Sequence, residues 1–266
     1  MHPRKRSVRV LLAVCVGVLV TAGTAAVAGG AEVPRSATDP SAAAREPVDL
    51  FYLSDSSGWG VAELYGRHIK KSLGVAVRIH DSPEPNLSAV TILRQLRGAY
   101  GPTPIRLVRS AEVIVVYGNM MGLEVVKEGT CFDGKPPLEV GPQLWVKYVP
   151  ALKAIYKRIF QIRKGKPVIL RTANWYVPVL KSWEKAGMLE ICTKLHESFS
   201  AAIAEAAAAY RVPVADVYTA FNGKTHLEDP VAKGYILPDG IHVTNKGRAV
   251  IAKTLANLGY KQVRPR

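Results

Sequence analysis

The sequence predicts an α/β protein, a three-layer α/β/α sandwich built on a parallel sheet of about five strands. Five short apolar runs, at residues 48–53, 75–80, 113–117, 167–172 and 212–217, have the length and character of strands. Between them apolar residues recur at three- and four-residue spacing, the period of amphipathic helices. Alternation of the two implies parallel strands joined by helical crossovers, so both faces of the sheet are covered.

Each element follows from its residues. Residues 48–53 form a first strand behind Pro47, and residues 54–60 a tight turn. Val61, Leu64, Tyr65, His68, Ile69 and Leu73 then mark a helix. After the second strand, residues 83–86 read as a loop, and Ser88 is placed to cap a helix carrying Val90, Leu93 and Leu96. Residues 113–117 form the most apolar and hence most central strand. The irregular segment from 122 to 142, with Cys131, is too long for a simple connection and is expected to be functional. A helix over 144–163 leads to the fourth strand. Met188, Ile191, Leu195, Phe199 and Ile203 carry a long helix to about Tyr210, with His196 beside the stripe as a packed or surface histidine. Pro213 places the fifth strand at an edge or a strand start. A final helix follows Gly247.

The N-terminus is an address. Arg4, Lys5, Arg6 and Arg9 precede an apolar stretch, and Ala26-Val27-Ala28 forms an A-x-A cleavage site. Residues 1–28 therefore read as a signal peptide, with an uncleaved anchor as the alternative. Residues 29–46 read as a flexible linker, and 47–266 as the domain. Cleavage removes four basic residues and lowers the net charge of the 266-residue chain from +15 to +11. A basic, secreted protein can associate weakly with anionic envelope polymers. The basic residues are scattered, and no nucleic-acid motif accompanies them. Cys131 and Cys192 remain after export. An oxidising compartment favours their pairing, which would pin the long loop to the long helix; their spacing matches no metal site.

In a parallel sheet, ligands bind beyond the carboxyl ends of the strands. Ser56, Gly118, Asn119 and Trp175 fall at those ends. Near the C-terminus, Pro238-Asp239-Gly240-Ile241-His242 sets a carboxylate and an imidazole three residues apart in a turn before a helix. Such a carboxylate can fix the imidazole tautomer, and the imidazole can activate a hydroxyl. Each piece alone has a plainer explanation: a Pro-Asp-Gly turn, a serine capping a helix, an Asn in a Gly-Asn turn. Ser57 could take the capping role and leave Ser56 free.

Together, Asp55-Ser56 after the first strand, Gly118-Asn119 after the third and Asp239-x-x-His242 before the last helix resemble the SGNH (GDSL-type) hydrolase family. The resemblance spans about residues 48–258. It implies a flavodoxin-like sheet and serine ester hydrolysis without a cofactor. Ser56, His242 and Asp239 match the catalytic positions, and the oxyanion hole would draw on Ser56, Gly118, Asn119 and one further residue. The sequence departs from the pattern twice. Ser54 stands where the first block opens with Gly, and no Gly lies in residues 81–95 to supply the second-block donor. Asn86 holds the matching position, and Asn best tolerates left-handed backbone among non-glycines.

Two other readings compete. Gly58-x-Gly60-x-x-Glu63, with Asp81 roughly 20 residues on, half-matches a dinucleotide fingerprint but lacks the third glycine and leaves Asp239 and His242 unused. A non-catalytic SGNH-like domain binding glycans or lipids is the other. Neither a G-x-S-x-G elbow nor an H-E-x-x-H site occurs. The expected partner is a small-molecule, lipid or glycan ester, met by a monomer, with Trp59, Trp175 and Tyr176 shaping the pocket together with the long loop.

Overall fold

The computed structural model describes residues 46–83, 87–118, 131 and 148–264. The predicted signal segment, the linker up to residue 45, Asn86, Asn119 and all of the 122–142 loop except Cys131 lie outside the described residues.

Five parallel strands form one sheet: β1 (Val48–Ser54), β2 (Val77–Pro83), β3 (Val113–Tyr117), β4 (Ile169–Ala173) and β5 (Val214–Ala215). Their order is β2-β1-β3-β4-β5, the flavodoxin-like arrangement. The register sets Ser54, the last residue of β1, opposite both Pro83 and Tyr117. The strand order switches sense between β1 and β3, since β2 is added on one side of β1 and β3 on the other, so a crevice opens beyond the carboxyl ends of these two parallel strands.

The helices among the described residues are α1 (Val61–Leu73), α2 (Ala89–Leu96), α3 (Thr103–Ser110), α4 (Val149–Arg163), α5 (Leu180–Lys185), α6 (Leu189–Ala208), α7 (Val217–Asn222) and α8 (Asn245–Asn257). Strand side chains alternate between two apolar layers. Phe51, Leu53, Ile114, Val116 and Leu170 pack against α2, α4 and α6 through Ile92, Leu152, Ile155, Phe199 and Ile203. Leu50, Tyr52, Val113, Val115 and Tyr117 pack against α1, α7 and α8 through Tyr65, Ile69, Phe221, Ile251 and Leu255. The three layers expected from the sequence are present.

Several boundaries differ from expectation. The second strand begins two residues later and runs to Pro83. The fifth strand is only Val214–Ala215, because Asp216 accepts from the Thr219 N–H and starts α7 where the apolar run suggested more strand. Among the described residues it is an edge strand paired with β4 alone, with Pro213 just ahead of it. The short helices α3, α5 and α7 lack the several turns that make apolar periodicity readable. Arg171, in the middle of β4 and fully buried, donates to the Gly259 and Lys261 carbonyls. With the Val168–Val263 bridge it ties the C-terminal segment to the sheet.

Cys131 and Cys192 form a disulfide, as expected, joining the segment after β3 to α6. Around it pack Val177, Trp183 and Tyr218.

Candidate active site

The turn after β1 is organised by Asp55. Its backbone is extended, and its Oδ1 accepts hydrogen bonds from the Ser57 N–H at 2.9 Å and from the Ser57 hydroxyl. An aspartate bonding the amide two residues ahead is the Asx-turn geometry, and it folds Ser56–Gly58 into a single 3₁₀ turn. Trp175, just past β4, donates its indole N–H to Ser57 Oγ at 3.2 Å. Ser57 is buried with its proton committed to Asp55, so it braces the turn and is not free to act as a nucleophile. Ser56 is left half-exposed at the mouth of the crevice. The turn separates it from α1, so it does not stand directly at that helix's N-terminus.

Gly118, at the end of β3, has φ of +127°, a conformation side chains rarely adopt. A Cβ there would stand 2.7 Å from the Asp55 carboxylate and 3.0 Å from its backbone nitrogen. The two strand ends are in contact, and only glycine fits between them. Burial, with the charge of Asp55, pushes the Tyr117 phenol well up and keeps it neutral beneath the turn.

The opposing wall is the loop before α8. Leu237 N donates to His242 O at 2.7 Å, Ile236 bridges Val243, and Thr244 caps α8. Tyr176 donates from its phenol to the Ile241 carbonyl at 2.8 Å. Within this frame Asp239 Oδ1 accepts from the Ile241 and His242 N–H groups, both at 2.9 Å. Its Oδ2 lies 2.8 Å from His242 Nδ1, and His242 Nε2 lies 3.1 Å from Ser56 Oγ. Slight burial pushes the Asp239 carboxyl up, but the two backbone donors and the imidazole outweigh it and hold it below its ordinary value. An ionised carboxylate only accepts, so Nδ1 carries a proton and Nε2 of the neutral ring faces Ser56 as acceptor.

Ser56, 186 residues from His242 in sequence, is thus brought into one hydrogen-bonded line with His242 and Asp239. Gly118 sits beside the turn; Asn86 and Asn119 lie outside the described residues. His196 is packed, as expected: its Nε2 lies 2.6 Å from the Trp175 carbonyl, and burial lowers its pKa to about 4. The expectation that Trp175 and Tyr176 shape a pocket is corrected, because both are buried with their polar ends spent on Ser57 and Ile241. Of the three aromatics singled out, only Trp59 is exposed, at 40%. The bracing roles of Asp55, Ser57 and Trp175 were missed; the Asp-x-Ser spacing was the available signal for the first two. Gly58 packs against Ser54 and Tyr52, a structural use for one glycine of the half-matched dinucleotide fingerprint. Among the described residues no group of three or more His, Cys, Asp or Glu could hold a metal ion, and no helix is long and apolar enough to cross a membrane.

No protein-family model matches the sequence, and no curated protein does. Solved structures do match. A lipase from a goat-rumen metagenome superposes with a TM-score of 0.63 at 21% identity, over 80% of this chain and 98% of its own. An α/β hydrolase enzyme from the Lake Arreo metagenome gives 0.54 at 14% identity, over 79% and 94%. A GDSL-like lipase from Bacteroides thetaiotaomicron gives 0.51 at 14% identity, over 79% and 86%. At these identities the likeness is one of fold, a three-layer hydrolase-type sandwich. That fold is the one of SGNH (GDSL-type) hydrolases, as the three sequence blocks implied.

Proposed function

We propose that this protein is a serine ester hydrolase that works through an acyl-enzyme intermediate. The observation that carries the reading is the continuous line Ser56 Oγ to His242 Nε2 at 3.1 Å and His242 Nδ1 to Asp239 Oδ2 at 2.8 Å. Neutral His242 takes the Ser56 proton as Oγ attacks the ester carbonyl. Asp239 stabilises the imidazolium that forms. That imidazolium then protonates the departing alcohol, leaving an acyl group on Ser56. A water, deprotonated by His242, attacks the acyl carbonyl and returns the serine and the free acid. The oxyanion is assigned to the Ser56 N–H with Gly118, Asn119 and Asn86, an assignment resting on the sequence resemblance. Removing one such donor typically costs on the order of 3 kcal/mol in the transition state.

The SGNH fold, shared with lipases, supports this chemistry on a carboxylic ester. The N-terminal basic and apolar segment supports export, with a lipid, glycan or small-molecule ester met outside the cytoplasm. Turnover of p-nitrophenyl esters of increasing chain length, together with labelling by a fluorophosphonate, tests the proposal. Wild type should hydrolyse at least one ester and label at Ser56, and Ser56→Ala should do neither. A wild type that neither labels nor turns over would indicate a non-catalytic binding domain instead.

A further inference from the structure

The ring of Trp59 lies parallel to that of His242, with an interplanar angle of 1° and centroids 5.3 Å apart. Ring faces in contact are roughly 3.5 Å apart, so the two are stacked with a lateral offset, the arrangement aromatic pairs favour. Trp59 is also the residue that closes the Ser56–Gly58 turn, its N–H directed at the Ser56 carbonyl. One short turn therefore supplies both the hydroxyl at the end of the imidazole and the surface beneath its face.

We propose that Trp59 is a positioning residue for His242, holding the imidazole in the plane that joins Asp239 to Ser56. This rests on the hydrolase reading for its kinetic consequence, but the contact itself does not. The need for such a support follows from exposure. The side chains of Asp239 and His242 are 47% and 31% exposed, so water competes for both hydrogen bonds that orient the ring. A stacked indole restrains ring rotation without a polar group that water can displace, and it shields one face. Among the described residues, the groups around the imidazole are Asp239 from its own loop, Ser56 and Trp59 from the nucleophile turn, and Tyr176, whose phenol holds the Ile241 carbonyl. Arg248, from the first turns of α8, lies against Gly60 beside Trp59.

Two measurements test the proposal on the full chain. An imidazolium quenches an indole it contacts far more than a neutral imidazole does. The emission difference between wild type and Trp59→Phe should therefore fall on acidification, as the imidazole gains its second proton. His242→Asn should abolish that titration. His196, whose pKa burial lowers to about 4, lies beside Trp175, which wild type and Trp59→Phe share, so its effect cancels in the difference. In the second, Trp59→Ala should lower kcat on a short p-nitrophenyl ester by about 2- to 10-fold with little change in KM, and Trp59→Phe should recover most of it. A flat emission difference would overturn the stacking contact. A Trp59→Ala enzyme with raised KM and unchanged kcat would make Trp59 a wall of the substrate site and overturn the positioning role. If wild type hydrolyses no ester yet its emission titrates, the hydrolase reading fails and the contact with His242 stands.

Discussion

Replacing Gly118 with alanine probes the junction on which the nucleophile turn depends. The new methyl would meet the Asp55 carboxylate at 2.7 Å and the Asp55 backbone nitrogen at 3.0 Å. The carboxylate cannot swing aside cheaply, because its Oδ1 is bonded to both the amide and the hydroxyl of Ser57. Holding a non-glycine at φ of +127° costs about 1–3 kcal/mol, and the overpacking about another 1–3 kcal/mol. The sum, about 2–6 kcal/mol, should lower the urea midpoint by about 0.7–3 M at a slope of about 2–3 kcal/mol per molar. Ester turnover should fall further than stability alone explains, since a displacement of about 1 Å at Ser56 can cost about 100-fold. Equilibrium urea unfolding and kcat/KM on the best ester measure the two effects. A variant whose midpoint stays within about 0.2 M of wild type would refute the contact between the two strand ends.

His242→Ala should cost roughly a few thousand-fold or more in kcat/KM, and Asp239→Asn less, because the base survives when its partner is lost; equal losses would contradict these roles. Since the Asp239 carboxyl is held below its ordinary value, the acid limb of kcat/KM should follow one ionisation, that of the imidazole, and a two-proton limb would count against it. The Cys131–Cys192 bond spans 61 residues, and its removal by paired alanine substitution should cost about 4 kcal/mol, read by urea unfolding; an unchanged midpoint would refute this. Thiol titration of the unfolded, unreduced chain from residue 29 onward should find no free cysteine. His196 protonates at about 4 when folded and at 6.5 when unfolded, so the unfolded chain binds the extra proton first. Stability from this residue is therefore complete above about 6.5 and should decline by about 3 kcal/mol as pH falls to 4. His196→Gln should flatten that slope, and an unchanged slope would show that His196 does not cause it.

The legible parts of this chain were those carried by periodicity or by close sequence spacing. Residues 50–53 and 113–117 are apolar throughout because their strands are covered on both faces, so they stood out as strands. Asp239 and His242 were legible because three residues separate them and one loop holds both. The short fifth strand was over-read, because the apolar residues around 212–217 serve first a strand and then a helix started by Asp216. The bracing of the nucleophile turn was harder to see. Trp175 lies 118 residues from Ser57, and nothing local to either marks the pairing. An aromatic at a strand end reads as a pocket wall whether its N–H points outward or, as here, into the protein. The same holds for Tyr176 and Ile241.

The site joins two supports of unlike character, and this bears on what substitutions in each should do. Asp55 and Ser57 are buried and bonded to one another, and Asp55 is wedged against Gly118 at the strand ends. Disturbing them leaves polar groups unpaired inside the protein, so stability and activity should fall together. Asp239 and His242 stand on an exposed loop, where water can replace either hydrogen bond. Alanine at His242, or asparagine at Asp239, should remove activity while shifting the unfolding free energy by less than about 1 kcal/mol. Asp55→Asn should lose both, since Oδ1 would have to keep two donors without its charge. Unfolding curves and kcat/KM for these three variants, measured side by side, check the division. A His242→Ala protein destabilised as much as Asp55→Asn would show that the imidazole loop is part of the fold's foundation rather than a group carried upon it.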